Sequence, residues 1–178
     1  MANSERHILV QKIMDYAQLT KTRLTFLVVF SAVIGYLFGS DATRPISGVF
    51  GVVIGGLLIT SASIIINQII ERDIDKLMKR TQHRPLPSGR MKIAEALLAA
   101  ILFSITGVFV LWKMFNLNAA ILAASSLIGY SFVYTLLKRV HTIAVFIGAI
   151  PGALPTTIGY VCATGEIDYV ALLLFAIQ

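Results

Sequence analysis

The chain has 178 residues, of which 57% are hydrophobic and 13% charged, with a mean hydropathy of +0.82 and a formal net charge of +6. A soluble domain of this length cannot bury so much apolar surface, so the composition excludes a soluble protein and indicates an integral membrane protein. The single cysteine, Cys162, excludes a disulfide framework and a Cys-x2-Cys metal site. No DNA- or RNA-binding pattern accompanies the positive charge, and we expect no nucleic-acid partner.

The first predicted element is an amphipathic helix over residues 1–20, which is polar but carries Ile8, Leu9, Ile13 and Met14 at helical spacing. We expect this helix to lie in the membrane interface. Apolar stretches long enough to cross a bilayer follow, at roughly residues 24–40, 46–70, 93–112, 117–137 and 143–163. The pattern predicts an all-α transmembrane helix bundle that forms one domain over residues 1–178.

A sixth apolar segment begins near Tyr169 and reaches Gln178 after about ten residues, whereas a span needs about 20. We therefore expect five full spans and a truncated sixth, with the domain incomplete at its C-terminus. On this interpretation the chain is a fragment or the product of a truncated reading frame.

The second and fifth spans carry the most informative internal sequence. Small residues in the second span favour close helix packing in lipid, and we expect its helix to continue to about Lys79. Pro85 and Pro87 predict a loop after it. Pro151 and Pro155 are predicted to interrupt the fifth span, where the carbonyl groups that they free need another partner. We therefore expect the fifth span to line a cavity.

Positive charge is concentrated on one side of the predicted spans. Thirteen of the fifteen Lys and Arg residues lie before the first span or in the loops after the second and fourth spans. The other two, Arg44 and Lys113, lie on the opposite side, Arg44 within a short turn predicted over residues 40–45. The positive-inside rule then predicts that the N-terminus and the polar loop are cytoplasmic. We expect a multi-pass protein of a bacterial inner membrane.

The most polar part of the chain, residues 67–90, directly follows the apolar second span. At about 100° per residue, Asn67, Glu71 and Asp75 share one helical stripe, and Asp73 falls on the opposite side. Oxygen ligands at a cavity mouth suit Mg²⁺, which is usually held by carboxylates together with phosphate oxygens. The bases that follow and suit phosphate are Lys76, Arg80 and Arg84. The alternative is a solvated, charged helix end that anchors the protein at the membrane.

Tyr134 and Lys138 repeat the four-residue spacing at the cytoplasmic end of the fourth span. This spacing places a phenol and an ammonium group toward the same cavity mouth. Lys21 and Arg23 open the first span. For all four residues the alternative is an interfacial aromatic or a long cationic side chain that extends to the headgroups.

Several of these segments together match a known pattern. The main one is Asn67-x3-Glu71-x-Asp73-x-Asp75-x2-Met78-x-Arg80-Thr81-x2-Arg84-Pro85-Leu86. It resembles the signature of the protoheme IX farnesyltransferase (haem O synthase) family, within the UbiA-type intramembrane prenyltransferase superfamily. Residues 15–23, 134–139 and 148–165 are also similar to that family. The extension after Asp75, Met-x-Arg-Thr-x2-Arg-Pro-Leu, is typical of the haem branch.

The resemblance implies nine transmembrane helices around a central cavity that opens laterally to lipid. The implied activity transfers a farnesyl group from farnesyl diphosphate to a vinyl group of haem b, giving haem O. Two acidic motifs are implied to hold Mg²⁺ on the diphosphate, and Asn67, Glu71 and Asp75 would form the first. Downstream haem-modifying or terminal-oxidase assembly proteins are implied partners.

The resemblance also implies roles for basic and aromatic residues. Those implied to contact the diphosphate are Arg80, Arg84 and Lys138. Tyr134 would stabilise the cation that develops during the reaction. Lys21 and Arg23 would meet a haem propionate.

The chain departs from the family pattern at two positions and lacks one motif. Glu71 stands where the superfamily usually has Asp, and Thr22 stands where the family commonly has Pro. The second acidic motif would follow Gln178, so we expect the 178-residue chain alone to be inactive. Three alternatives stay open: another intramembrane aromatic prenyltransferase acting on 4-hydroxybenzoate or a chlorin, a non-enzymatic cation-binding membrane protein, and an inactive fragment.

Overall fold

The computed structural model describes residues 2–41 and 46–178, apart from the side chains of residues 2–5 and 8. Arg44 and most of the turn predicted over residues 40–45 lie outside the described residues. The helices are α1 (Ala2–Leu19), α2 (Thr22–Gly39), α3 (Ser47–Leu77), α4 (Ile93–Met114), α5 (Leu117–Ile128), α6 (Thr135–Leu137), α7 (Ala144–Thr164) and α8 (Tyr169–Ile177). A π-helical segment, Gly129–Tyr134, joins α5 to α6. The predicted all-α fold is confirmed.

Five helical segments in the described part of the chain are long and apolar enough to cross a membrane. They are α2, α3, α4, the continuous segment Leu117–Leu137 and α7, and their bounds lie close to the predicted ones. α3 extends beyond its apolar part to Leu77, two residues short of the predicted end. α8 has nine residues, in agreement with the short sixth segment.

Large apolar side chains point outward, as expected for a protein surrounded by lipid. On α2, Leu27, Phe30 and Phe38 are each more than 60% exposed. The side of α3 that faces into the bundle instead carries small or polar residues at several positions, such as the buried Ser61 and Ser63. Lipid is as apolar as these side chains, so the hydrophobic effect does not drive the helices together. They associate instead through close packing of small residues and through polar groups that meet inside the bundle.

α2 crosses α7 at very close range. A Cβ atom at Gly159 would lie 1.8 Å from the carbonyl oxygen of Ala32, and one at Gly35 would lie 1.9 Å from that of Thr156. Only glycine allows the two backbones to approach this closely. α3 packs in turn against both α4 and α2, which places it inside the bundle.

The predicted interruption of the fifth span at its prolines is wrong. α7 runs without a break through Pro151 and Pro155. Pro155 has no N–H group to donate to the carbonyl of Pro151, and Ser126 Oγ donates to that carbonyl across 3.5 Å from α5. A neighbouring hydroxyl therefore compensates for the lost bond, as is common in membrane helices.

α1 is attached by charged contacts to the same end of the bundle that carries the polar segment. Arg90 Nε donates to Asp15 Oδ1 at 2.9 Å, and Lys12 Nζ lies 2.8 Å from Glu95 Oε1. The predicted apolar positions Ile13 and Met14 stay exposed on the remaining surface of α1. The helix itself is confirmed, and its location in the membrane interface stays a prediction.

Candidate functional site

The polar stripe predicted on α3 lies inside the bundle at its basic end. Asn67 and Asp75 are each only 4% exposed, and Glu71 between them is half-buried. Asn67 Oδ1 is buried and has no hydrogen-bond partner among the described residues. Asp73 points away and is exposed, as the helical spacing predicted. The stripe therefore presents an amide oxygen and two carboxylates to one internal surface.

Asp75 is paired with Arg84 from the loop that follows α3. Arg84 Nη1 lies 2.6 Å from Asp75 Oδ2. The loop is held in place by Thr81, whose Oγ1 donates to the carbonyl of Asp75 at 3.0 Å. That carbonyl, near the end of α3, also accepts a longer bond from the N–H of Met78 at 3.4 Å. Thr81 and Leu86 are each 1% exposed. Within the Arg-Thr-x2-Arg-Pro-Leu sequence, Thr81 and Leu86 thus hold the loop against the bundle. Arg84 from the same sequence contacts the acidic stripe.

Glu71 is paired with Lys138 from the end of the fourth span. Lys138 Nζ lies 2.8 Å from Glu71 Oε1. The next residue, Arg139, donates through Nη2 to the carbonyl oxygen of Ile70 at 2.6 Å. Two adjacent cations therefore attach the end of α6 to neighbouring positions on α3. Each carboxylate of the stripe has its own cationic partner.

Two tyrosines connect this cluster to the interior. Lys138 Nζ lies 5.0 Å from the centroid of the Tyr134 ring, and the ring centroids of Tyr134 and Tyr130 are 5.4 Å apart. Both tyrosines belong to the π-helical segment, a local widening of the helix that is frequent at functional sites. Thr135, the first residue of α6, donates through Oγ1 to the carbonyl of Tyr130 at 2.8 Å.

An apolar cavity of about 200 Å³ lies beside Tyr130, and it reaches Ser63, one helical turn before Asn67 on α3. Its lining includes Ser63 on α3, Tyr130, and the prolines Pro151 and Pro155 on α7. The expectation that the fifth span lines a cavity is confirmed. A polar cluster with both charge signs thus adjoins an apolar chamber.

Lys21 lies in the same polar cluster, although it comes from the junction between α1 and α2. Its side chain is half-buried, and its charge interacts with those of Glu71, Asp75, Arg84 and Lys138. Burial, followed by the nearby charge of Arg84, lowers the pKa of the Lys21 ammonium. Lys21 therefore lies close enough to the acidic stripe for its charge to interact with those of Glu71 and Asp75, although it forms no ion pair with either among the described residues.

The remaining predicted residues are not brought into this cluster. Arg80 and Arg23 are both exposed. Lys76 pairs instead with Asp73, at 3.5 Å on the outer side of α3. Their predicted contacts with a diphosphate or a haem propionate stay predictions.

Sequence reasoning missed three residues that support the site. Gln68 is 1% exposed and donates through Nε2 to the carbonyl of Leu19, which attaches the α1–α2 junction to α3. The other two are Tyr130 and Arg139, described above. Two of them could have been found from the sequence. Gln68 is an amide next to Asn67, and Tyr130 precedes Tyr134 by four residues, a spacing that places both rings on the same side of a helix.

The donor set fits a hard divalent cation. Asn67 Oδ1 is an unsatisfied buried oxygen, and the two carboxylates are its neighbours along one stripe. Mg²⁺ takes oxygen ligands and commonly uses one or two carboxylates. In the described part of the chain no group of three or more His, Cys, Asp and Glu side chains forms a complete protein metal site. The stripe therefore suits a cation that takes its other ligands from elsewhere.

The fold and the site together define an intramembrane helical protein with an acidic and basic cluster at the mouth of an apolar cavity. Residues 28–178 match the UbiA prenyltransferase family. The chain belongs to this family.

Proteins named protoheme IX farnesyltransferase are similar to nearly the whole chain. The one from Cytophaga hutchinsonii is 48% identical over 163 residues, which cover 92% of this chain and 57% of that protein. The mitochondrial one from Arabidopsis thaliana is 38% identical over 160 residues, covering 89% of this chain and 37% of that protein. The chain thus spans about half the length, or less, of these relatives.

Solved structures share the fold. A digeranylgeranylglyceryl phosphate synthase has a TM-score of 0.77 at 22% identity, covering 93% of this chain and 57% of that one. A UbiA homologue from Archaeoglobus fulgidus, bound to DMAPP and Mg²⁺, has a TM-score of 0.73 at 18% identity, covering 90% and 59%. The chain shares the helical fold of these structures, and its five apolar helices and its family make it a multi-pass integral membrane protein.

Proposed function

We propose that the protein to which this chain belongs is a protoheme IX farnesyltransferase, which transfers the farnesyl group of farnesyl diphosphate to a vinyl group of haem b and forms haem O. The observation that carries the proposal is the polar cluster on α3, where Glu71 pairs with Lys138 and Asp75 with Arg84 beside an apolar cavity. Similarity to proteins of that name over about nine-tenths of the chain supports the choice of substrate.

The charges in the cluster suit a prenyl diphosphate. Arg84 and Lys138 would bind diphosphate oxygens, with the Arg84 guanidinium able to contact two oxygens at once. Arg80 lies in the same loop and would join them if the exposed side chain turned inward. The fifteen-carbon chain would enter the apolar cavity, since each buried CH₂ group stabilises by about 0.8 kcal/mol. One substrate thus has a charged end and an apolar end that match the two parts of the site.

The metal implied by the donor set is Mg²⁺. Asn67, Glu71 and Asp75 would hold it, and when bound it would neutralise negative charge that develops on the leaving diphosphate. The salt bridges to Lys138 and Arg84 would then become available to the diphosphate oxygens. A second acidic motif elsewhere in the protein would supply the remaining protein ligands.

The reaction begins when the bond between C1 of the farnesyl group and the diphosphate oxygen breaks. The electron pair leaves with the diphosphate, where Arg84 and Lys138 stabilise the added charge. The π electrons of the haem vinyl group form a bond to farnesyl C1, and a water molecule adds a hydroxyl to the resulting carbocation and releases a proton. Tyr130, which lines the cavity, and the neighbouring Tyr134 would offer aromatic rings to a cation in the cavity mouth.

The orientation follows from the charge distribution, and we place the N-terminus and the polar cluster on the cytoplasmic side of a bacterial inner membrane. Farnesyl diphosphate would reach the cluster from that side, and haem b would enter from the bilayer. Lys21 and Arg23 were predicted to meet a haem propionate, and for Arg23 we retain this role. Haem-modifying or terminal-oxidase assembly proteins would receive the product.

The test is haem analysis by reversed-phase chromatography and mass spectrometry after expression of the full-length gene product that contains these residues. Membranes supplied with farnesyl diphosphate, Mg²⁺ and haem b are expected to form haem O. Glu71→Gln and Asp75→Asn are each expected to lower the rate about a hundredfold, by analogy with the loss of one electrostatic stabiliser in other enzymes. Removal of Mg²⁺ with a chelator should have a similar effect.

Asp73→Asn is the matched control, because Asp73 is an exposed acid between the other two and points away from the cluster. It should keep the wild-type rate, and Glu71→Asp should keep most of it. Parallel reactions with 4-hydroxybenzoate and a chlorin separate the related prenyltransferases, since product from either of these instead of haem b would replace the proposed substrate. Equal rates for all four variants would remove the metal role from the stripe.

A further inference from the structure

Lys21 has a backbone conformation that side chains of its type rarely adopt. Its φ and ψ are 46° and 57°, and among the described residues it is the one non-glycine with positive φ. This left-handed region brings Cβ of an ordinary L-residue too close to the following carbonyl oxygen. Such a residue persists only where its surroundings determine the conformation, and it often marks a functional position.

The surroundings that determine this conformation are buried hydrogen bonds on both sides of Lys21. Gln68 Nε2 donates to the carbonyl of Leu19, and Thr25 Oγ1 donates to the carbonyl of Thr20 at 2.7 Å. Leu19, Thr25 and Gln68 are each at most 2% exposed. Gln68 directly follows Asn67 on α3, so the kinked junction is attached beside the first residue of the acidic stripe.

The kink places the Lys21 side chain among the charges of the site. The ammonium is attracted by Asp75 and Glu71 and repelled by Arg84 and Lys138. It makes no hydrogen bond or ion pair with the residues that the structure describes. Each of the two carboxylates already has a cation within 3 Å. Lys21 is therefore a half-buried positive charge without an anionic partner of its own.

We infer that Lys21 is a third cation for the diphosphate of the prenyl donor, acting with Arg84 and Lys138, and that it does not bind a haem propionate. The inference rests on the proposed function for the prenyl diphosphate and replaces the role that the sequence predicted for Lys21. The left-handed junction would separate Lys21 from Arg23, which lies two residues further and is exposed. The nearby carboxylates are already paired, Asp75 with Arg84 and Glu71 with Lys138. A polyanion that contacts all three cations would therefore neutralise the Lys21 ammonium best.

The experiment measures equilibrium binding by the full-length protein in nanodiscs, with Mg²⁺ present. The probes are radiolabelled farnesyl diphosphate, farnesyl monophosphate, haem b and haem b dimethyl ester, whose propionates carry no charge. The variant is Lys21→Gly, because glycine adopts the left-handed conformation without strain and so keeps the junction folded. Lys21→Arg restores the charge. Lys79→Gly, which removes an exposed lysine from the same polar segment, is the matched control.

Lys21→Gly is expected to weaken binding of farnesyl diphosphate by about 10- to 100-fold, the usual effect of losing a hydrogen bond between charged groups. The monophosphate should lose less, Lys21→Arg should recover most of the affinity, and Lys79→Gly should bind like wild type. Neither haem probe should change. A loss of affinity for haem b that spares the dimethyl ester would overturn the inference in favour of a propionate contact, and unchanged binding of every probe would overturn it as well.

The two proposals fail in different ways. If the wild-type protein binds farnesyl diphosphate but makes no haem O, the proposed function is wrong while the binding series still decides the role of Lys21. If the wild-type protein does not bind farnesyl diphosphate at all, both proposals are wrong. If haem O forms and Lys21→Gly binds farnesyl diphosphate normally, only the inference about Lys21 is wrong.

Discussion

Two aspartates on α3, separated by one residue, differ in their exposure to solvent. The Asp75 side chain is 6% exposed and lies 2.6 Å from Arg84, whereas that of Asp73 is 85% exposed and lies 3.5 Å from Lys76. In water an ion pair adds little, because solvent and salt screen both charges. Inside the bundle a carboxylate has lost its hydration, so its single cationic partner becomes essential. The same residue type is therefore a surface charge at one position and a site residue at the other.

Removal of Arg84 is expected to destabilise the protein strongly. Arg84→Met should cost about 3–5 kcal/mol, because it leaves the Asp75 carboxylate buried without its partner. Adding Asp75→Asn to this variant should recover part of the loss, since the remaining side chain is then neutral. Unfolding in detergent, followed by circular dichroism, measures the difference. Lys76→Met is the control and should change stability by at most about 1 kcal/mol.

At the scale of the helices, close packing of α2 against α7 forms one wall of the site. Lys21 stands at the start of α2, and Pro151 and Pro155 on α7 line the cavity. The two helices can meet because Gly35 and Gly159 leave room for the facing carbonyl groups. The crossing thus holds together two of the helices that line the cavity.

A methyl group at this crossing should force the helices apart. A Cβ at position 159 would lie 1.8 Å from the carbonyl oxygen of Ala32, which is backbone and cannot turn aside. Gly159→Ala is therefore expected to lower stability by about 1–3 kcal/mol or more, as overpacking does elsewhere. Gly152→Ala on the same helix meets no atom within 4 Å and should be neutral or slightly stabilising. Thermal unfolding in detergent compares the pair, and equal melting temperatures would show that the crossing tolerates a side chain.

At the scale of the whole molecule, the charged groups mark the two ends of the bundle differently. α1, the loop after α3 and the end of α6 all bring basic residues to one end. The opposite end has little positive charge and instead carries Asp168, whose Oδ2 accepts a hydrogen bond from Tyr160 at 2.8 Å. The polar cluster lies at the basic end, so the side from which a diphosphate would enter depends on the orientation of the protein in the membrane.

Cysteine labelling should establish this orientation. The native Cys162 is buried and should react little, so an introduced cysteine gives a clear signal. In intact cells an impermeant maleimide is expected to label Glu166→Cys and to spare Lys79→Cys, which should react only after permeabilisation. The reverse pattern would place the polar cluster outside the cytoplasm and would contradict the proposed entry of farnesyl diphosphate.

The sequence by itself determined the membrane class, the five spans and the shared stripe of Asn67, Glu71 and Asp75, because hydropathy and helical spacing are local properties. It also separated Asp73 from the stripe for the same reason. The prediction that Pro151 and Pro155 interrupt the fifth span was wrong, and at Pro155 a hydroxyl on another helix, Ser126, compensates for the missing backbone bond.

Only the tertiary structure decided which cation meets which acid. Lys138 pairs with a carboxylate 67 positions earlier in the chain. Gln68 attaches the junction that carries Lys21 to α3, and the charge of Lys21 interacts with those of the stripe. Arg80, by contrast, stays exposed although its spacing favoured it equally. Contacts between distant segments depend on how helices pack and where loops fold back, and these are properties that no local pattern of residues contains.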